Sequence, residues 1–125
     1  MHKLFLAAGS ISGALSVMIG AFGAHKLKDY LLKVGRTDVF ETAVKYQFYH
    51  TFALLFIGLL LLIKGDIKSL NYSGYCFITG VIIFSGSLYV LCLTNVSKWG
   101  AVTPIGGLFL IAGWIFALIS IVKNF

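Results

Sequence analysis

The chain has 125 residues, of which 59% are hydrophobic and 11% are charged, and its formal net charge is +6. Soluble domains carry about 25% charged residues, so this chain would expose too much apolar surface in water, and lipid is its expected solvent. The basic residues lie between or beside apolar runs, where headgroups and membrane topology account for them, so nucleic-acid binding is not expected.

The first apolar run, Leu4 to Ala24, contains no charged residue. A helix of about 20 apolar residues crosses a bilayer core of roughly 30 Å. The run is also longer than the core of a cleaved signal peptide, which has about 7–15 residues. We therefore expect a membrane span here.

The connection after this run has the pattern of an amphipathic helix. Between His25 and Val34 the apolar residues follow the i, i+3, i+4, i+7 spacing of a helix face, at Leu27, Tyr30, Leu31 and Val34. Charged residues take the other face, and Gly35 follows as a stop signal. The pattern predicts a short helix lying in the membrane interface; a frayed extension of the first span is the alternative.

Three further apolar runs complete the chain. The predicted spans cover residues of about 4–24, 40–63, 72–94 and 104–122. Residues 1–125 are thus expected to form one all-α domain, an integral membrane four-helix bundle.

Several residues mark the expected ends of these helices. Asp38, with Glu41 three residues later, is a close variant of a capping box before the second span. Asn71 or Ser69 is the expected cap of the third span. Lys64-Gly65 closes the second span, and Thr103-Pro104 opens the fourth, where the missing N–H of proline does no harm.

Small residues recur along the first and fourth spans. Lipid weakens the hydrophobic drive between helices, so close approach at small residues gains importance. The expected helix-packing positions are Gly9, Gly13, Gly20, Gly106, Gly107 and Gly113. Tight packing within one chain is the first interpretation, and a dimer seam is the alternative.

If the spans run alternately up and down, the polar residues gather on one side of the membrane. We call this the loop-one side, because it holds the connection between the first two spans. The residues expected there are His25, Tyr46, Gln47, His50, Ser85 and Tyr89. Polar residues inside membranes face the bundle interior or water. Two interpretations stay open: a polar pocket at half depth, or a set of interhelical hydrogen bonds that fixes the bundle.

Reactive groups are scarce. The sequence has no glycine-rich phosphate loop, no metal-ligand cluster and no pair of carboxylates in a plausible cleft, and Glu41 is the only acid near the spans. His50 and Ser85 lack the third group that orients a catalytic histidine. Cys76 and Cys92 lie too far apart along one predicted helix to form a disulfide. We therefore expect no enzyme activity, no cofactor and no metal.

Five short motifs carry a family resemblance, and they span nearly the whole chain. They are GAFGAH at 20–25, YQFYH at 46–50, FSGSLY at 84–89, TPIGG at 103–107 and GW at 113–114. In these motifs and their order the sequence resembles the YgdD/YwdK family of small bacterial membrane proteins of unknown function. The resemblance implies a multi-pass, four-helix protein of the inner (plasma) membrane, and it implies no particular activity.

Three functions fit this sequence. The first is a structural or accessory protein that binds membrane lipid, other membrane proteins or a second copy of itself. The second is a component of a small-solute or proton transporter or channel. The third is a lipid- or quinone-binding protein with the amphipathic helix as a lid. Lysine and arginine are too evenly divided between the two sides to assign the membrane orientation.

Overall fold

The computed structural model describes residues 1–125, which form helices and no strands. The helices are α1 (His2–His25), α2 (Lys28–Val34), α3 (Thr37–Lys64), α4 (Lys68–Thr94) and α5 (Thr103–Asn124), and a 3₁₀ turn at Ser97–Ala101 precedes α5. Four helices are long and apolar enough to cross a membrane. The predicted all-α, four-helix membrane fold is confirmed.

The connection between the first two spans contains a separate helix, α2, and is not an extension of α1. Gly35 ends α2 in the left-handed conformation, with φ of 70°. The next N–H, that of Arg36, bonds back to the Leu31 carbonyl oxygen at 2.9 Å. This is the backbone arrangement that glycine supplies at helix ends, because it has no Cβ to clash.

The predicted cap of α3 is wrong. α3 begins at Thr37, one residue before Asp38, and Arg36 precedes it without a side-chain cap. Arg36 instead donates to Asn95 Oδ1 at 3.0 Å and to Ser97 Oγ at 3.0 Å. The turn at Gly35 and Arg36 leads directly from α2 into α3, so Asp38 falls in the first helical turn. Its negative charge there still favours the positive end of the helix dipole.

The predicted cap of α4 is also wrong. α4 begins at Lys68, ahead of both Ser69 and Asn71, and has no side-chain cap. The Asn71 amide is used differently: its Nδ2 donates to Asp66 Oδ1 at 2.8 Å. This bond holds the short connection between α3 and α4.

Neighbouring helices in the bundle are α1 with α3, α3 with α4, and α4 with α5. All four long helices contribute to the main core, which consists of Phe5, Ala53, Leu54, Ile57, Leu61, Leu70, Phe77, Leu110 and Ala117. A smaller cluster on the loop-one side packs α2 against α3 and α4, through Leu31, Phe40 and Cys92. The main core and the loop-one cluster (Leu31, Phe40 and Cys92) therefore hold the helices together at different levels of the bundle.

The α1 glycines lie against α3 of the same chain. A Cβ at Gly9 would come within 2.9 Å of the Leu55 side chain, and one at Gly13 within 3.2 Å of Thr51 Cγ2. Gly20 is less tight, since its Cβ would lie 3.4 Å from Val44. Small residues on α1 thus serve close packing inside the monomer.

The α5 glycines differ from one another. A Cβ at Gly106 would lie 2.3 Å from the backbone nitrogen of Phe84, and one at Gly113 2.6 Å from the Phe77 ring. At Gly107 the nearest atom of the Phe84 ring would be 3.8 Å away, an ordinary contact. Of these three glycines, Gly106 therefore lies closest to the backbone of α4.

Candidate functional site

Spacing along α3 determines which polar residues face the interior. The buried residues of α3 recur at alternating intervals of three and four, which is the repeat of a helix face packed in a bundle. They include Phe40, Ala43, Gln47, His50, Leu54, Ile57 and Leu61. Gln47 and His50 occupy positions in this seam that would otherwise be apolar, so their polar atoms need partners inside the protein.

Gln47 joins three helices through one side chain. It is 5% exposed. Its Nε2 donates to the backbone oxygen of Ser12 on α1 at 3.1 Å, and its Oε1 accepts from the Tyr89 hydroxyl on α4 at 2.6 Å. The amide therefore fixes both α1 and α4 to α3.

Thr51 adds a second polar link between α1 and α3. Its hydroxyl lies 2.8 Å from Ser12 Oγ and 3.0 Å from the Gln47 carbonyl oxygen. Ser16, one turn along α1, donates to the Ser12 carbonyl oxygen at 2.7 Å. Four side chains thus converge around one turn of α1.

His50 has partners on both ring nitrogens. Nδ1 lies 2.7 Å from the Tyr46 carbonyl oxygen, and Nε2 accepts from Trp114 Nε1 at 3.1 Å. Because a carbonyl only accepts and an indole N–H only donates, the ring proton is on Nδ1 and the imidazole is neutral. In this arrangement neither nitrogen is free to relay a proton.

Trp114 is half-exposed, yet its indole N–H ties α5 to α3. Its ring also packs edge-to-face on Phe77, with ring centroids 4.9 Å apart. Packing is the usual role of a large aromatic side chain in a helix bundle. The hydrogen bond to His50 is an additional role that only the fold reveals.

The other predicted site residues are placed as follows. Ser85 Oγ donates to the Ala43 carbonyl oxygen at 2.7 Å, which joins α4 to α3. Tyr46 is 40% exposed, and its ring stacks on Phe84 at 4.8 Å. Its carbonyl, and not its hydroxyl, binds His50. His25 lies exposed at the end of α1, away from these contacts.

The predicted cluster thus divides into two branches. One joins Gln47 to Tyr89 and faces α1; the other joins His50 to Trp114 and faces α5. Sequence reasoning missed the parts played by Ser12, Thr51 and Trp114. Thr51 follows Gln47 by one helical turn, which is a usable signal. No sequence signal links Trp114 to His50.

A groove of about 490 Å³ lies between α1 and α4. We call it the α1–α4 groove. Gln47 and Leu54 of α3 form its floor, while Ser12, Ser85 and Tyr89 contribute the rest of a polar patch. Its walls are otherwise aliphatic and small, and they consist of Ala8, Ile11, Leu15, Ile19, Ile78, Val81, Ile82 and Gly86. A Cβ at Gly86 would meet nothing within 4 Å, so the space in front of it is open.

A second cavity, of about 550 Å³, lies beneath α2 on the loop-one side. We call it the α2 cavity. Its lining combines charged and apolar side chains from the end of α1, from α2 and from the start of α3. The lining residues are Gly20, Gly23, Ala24, Lys28, Leu31, Leu32, Thr37, Phe40, Glu41, Val44 and Lys45. Both cavities have the size of small-molecule sites, which measure about 300–1,000 Å³.

Comparison with known proteins identifies the family. Residues 19–107 match DUF423, described as a protein of unknown function. A UPF0382 membrane protein of Staphylococcus haemolyticus is 45% identical over 97% of both chains. The UPF0382 membrane protein YwdK of Bacillus subtilis is 38% identical over 97% of this chain and 98% of its own.

No solved structure matches the chain. The membrane-protein relatives and the four apolar helices agree on a multi-pass membrane location. The resemblance drawn from the five motifs is confirmed. The chain belongs to the DUF423 family, and relatives along nearly its full length carry the name UPF0382 membrane protein.

Proposed function

We propose that this protein is an accessory membrane protein that acts by binding a transmembrane helix of another protein, and not by catalysis or transport. The observation that carries the proposal is the mutual pairing of the interior polar side chains. Gln47, Tyr89, His50 and Trp114 satisfy one another and the neighbouring backbone. Groups paired in this way stabilise a fixed body, and what remains on the Gln47 amide and the Tyr89 hydroxyl is capacity for further hydrogen bonds and not for chemistry.

Transport requires a polar path across the membrane. Between His50 and the terminal side of the membrane the interior is apolar except for the separate hydroxyls of Ser73 and Ser120, and its large side chains include Leu54, Ile57 and Leu61. A charged or strongly polar solute in this region would lose its hydration without gaining partners. The fully engaged imidazole of His50 offers no alternative route for protons.

The α1–α4 groove is the proposed docking surface, and its occupant is a helix. Ser12, whose backbone oxygen accepts from Gln47, lies near the middle of α1 (His2–His25), so the polar patch is inside the hydrocarbon core. Acyl chains offer only hydrocarbon at that depth. A helix can bring a small or polar side chain to the hydrogen-bonding capacity that remains on Gln47 and Tyr89. The absence of a side chain at Gly86 permits close approach of the helix backbone.

Site-specific photo-crosslinking in native membranes tests the proposal. A photoreactive amino acid replaces Ile82 or Ile11, which are exposed on the two walls of the groove. The same probe at Leu118, exposed on α5, is the control for general contact. We expect one discrete protein adduct from both groove positions and none from Leu118.

Two variants of Gly86 link that adduct to the groove. Gly86→Phe fills the open space and is expected to abolish the adduct, whereas Gly86→Ala leaves the groove largely open and retains it. Crosslinks from Ile82 and Ile11 to lipid alone would overturn the helix-docking proposal. So would a protein adduct that survives Gly86→Phe.

A further inference from the structure

We propose that the α2 cavity binds the phosphate headgroup of a membrane phospholipid, with an acyl chain against its apolar floor. This site is separate from the α1–α4 groove, and the inference does not depend on the accessory function. It rests on the position of the cavity, the charges on its rim, the apolar residues beneath them and one unpartnered hydroxyl.

The cavity lies at the depth where lipid headgroups meet the hydrocarbon. It is bounded by the last turns of α1, the amphipathic α2 and the first turns of α3. The apolar face of α2 packs on the start of α3 and the end of α4, which holds this amphipathic helix at the membrane interface. The cavity therefore opens where a phospholipid presents its phosphate.

The rim charges match a phosphodiester. Lys28 of α2 and Lys45 of α3 both line the cavity and are exposed. Glu41, one turn before Lys45, is the only acid in the lining. Two positive charges and one negative charge leave one net positive charge, which complements the single negative charge of a phosphodiester. Lysine binds phosphate as a compact point charge.

Beneath this rim the lining is apolar. Leu31 and Phe40 are buried members of the loop-one cluster, and Val44 packs against that cluster. On the α1 side the wall is formed by residues with little or no side chain, including Gly20 and Ala24. An acyl chain that continues from the headgroup would lie along these surfaces.

Thr37 supplies an independent observation. Thr37 lines the cavity, and its hydroxyl oxygen is buried without a hydrogen-bond partner. Buried polar atoms are nearly always hydrogen-bonded, and an exception needs an explanation. Rotation of the Thr37 side chain about χ1 would turn this hydroxyl towards the cavity, where a phosphate or ester oxygen of a lipid would accept from it.

The lid over the cavity is held independently of any ligand. Tyr30 of α2 donates to the carbonyl oxygens of Cys92 at 2.9 Å and Leu93 at 3.1 Å, at the end of α4. Changing the cavity lysines therefore leaves the attachment of α2 in place. This makes the site testable without unfolding its wall.

The experiment is native mass spectrometry of the full-length protein, purified in detergent and mixed with phosphatidylglycerol. The test variant is Lys28→Glu/Lys45→Glu. The matched control is Lys26→Glu/Lys33→Glu, which makes the same change of charge at exposed lysines outside the cavity lining. We expect one retained lipid on the wild type and the control. The test variant should retain on the order of tenfold less.

A second variant and two ligand controls complete the test. Thr37→Val removes the unpartnered hydroxyl and is expected to weaken retention without a change in helical circular dichroism. Diacylglycerol, which lacks the phosphate, should not be retained, and inorganic phosphate should not displace the phospholipid.

Four results would overturn the inference: equal loss in both lysine variants, undiminished retention in the Lys28→Glu/Lys45→Glu variant, retention of diacylglycerol, or displacement by inorganic phosphate. The last result would assign the site to a free anion. The Ile82 crosslink tests only the docking of a helix in the α1–α4 groove, and lipid retention tests only the α2 cavity. Failure of one proposal is therefore distinguishable from failure of the other.

Discussion

At the scale of single residues, Gln47 has the widest structural effect of the buried polar side chains. It contacts Ser12 on α1 and Tyr89 on α4 from a position about a third of the way along α3. An amide has both a donor and an acceptor, which lets one residue link helices on two sides. An apolar residue of similar volume would pack in the same seam and lose both links.

Replacement of Gln47 by leucine is expected to lower the free energy of unfolding by about 1–2 kcal/mol. The estimate comes from interhelical hydrogen bonds in membranes, which average about 0.6 kcal/mol each and reach about 1.7. Tyr89→Phe removes only one of the two bonds and should cost about half as much. Unfolding in mixed detergent micelles, followed by circular dichroism, measures both changes.

The Gln47→Leu/Tyr89→Phe double variant completes a thermodynamic cycle. If the two residues act through their shared bond, the double variant loses less stability than the sum of the single changes. Tyr49→Phe, on the exposed side of α3, is the control and should leave stability unchanged. A Gln47→Leu protein as stable as the wild type would contradict the linking role of the amide.

At the scale of elements, the α4–α5 pair depends on the absence of a side chain at one position. The backbone of Phe84 occupies the space that a Cβ on Gly106 would need, at 2.3 Å. At Gly107, one residue further on, there is room for a Cβ atom. Backbone atoms cannot move aside as the end of a flexible side chain can, so the helices themselves would have to separate.

Gly106→Ala is therefore expected to destabilise the protein by about 1–3 kcal/mol, the usual range for overpacking. Gly107→Ala, its neighbour on the same helix turn, should leave stability unchanged or raise it by up to about 1 kcal/mol, since alanine favours helix more than glycine does. The same micelle unfolding measurement compares them. Equal effects of the two substitutions would show that helix propensity, and not the approach of α4, controls this region.

The end of α2 and the start of α3 show which helix boundaries can be predicted from the sequence. The apolar period and Gly35 predict α2 correctly, because both signals are local. The predicted start of α3 is wrong because the turn at Gly35 brings the chain into the helix one residue before Asp38, and Arg36 at that turn is held by Asn95 and Ser97, which are distant in sequence. A capping pattern describes local competition for backbone N–H groups, and a tertiary contact can override it.

At the scale of the whole molecule, the four apolar helices place the two termini on the same side of the membrane. An even number of spans returns the chain to the side where it began. The loop-one side, with α2 and the 3₁₀ turn, then lies opposite both termini. This holds whichever way the protein is inserted.

Cysteine labelling with a membrane-impermeant reagent tests this topology in a Cys76→Ala/Cys92→Ala background. Single cysteines replace Lys3, Lys33 or Lys123, all of which are exposed. We expect Lys3→Cys and Lys123→Cys to react from one side of the membrane and Lys33→Cys from the other. Reaction of the two terminal positions from opposite sides would refute the four-span arrangement.

Composition and periodicity by themselves determined that the protein lies in lipid, that it has four spans and that an amphipathic helix, α2, follows the first span. Each of these follows from how apolar residues are distributed along a chain that must bury them in lipid. The alternation of the spans also placed Gln47 and His50 on the loop-one side, facing the bundle interior or water. Only the tertiary structure decided that Gln47 binds Ser12 and Tyr89, that His50 binds Trp114, and that His25 stays apart. Hydrogen-bond partners and cavities depend on how helices are rotated and spaced against one another, and that geometry is set by contacts between residues far apart in the chain.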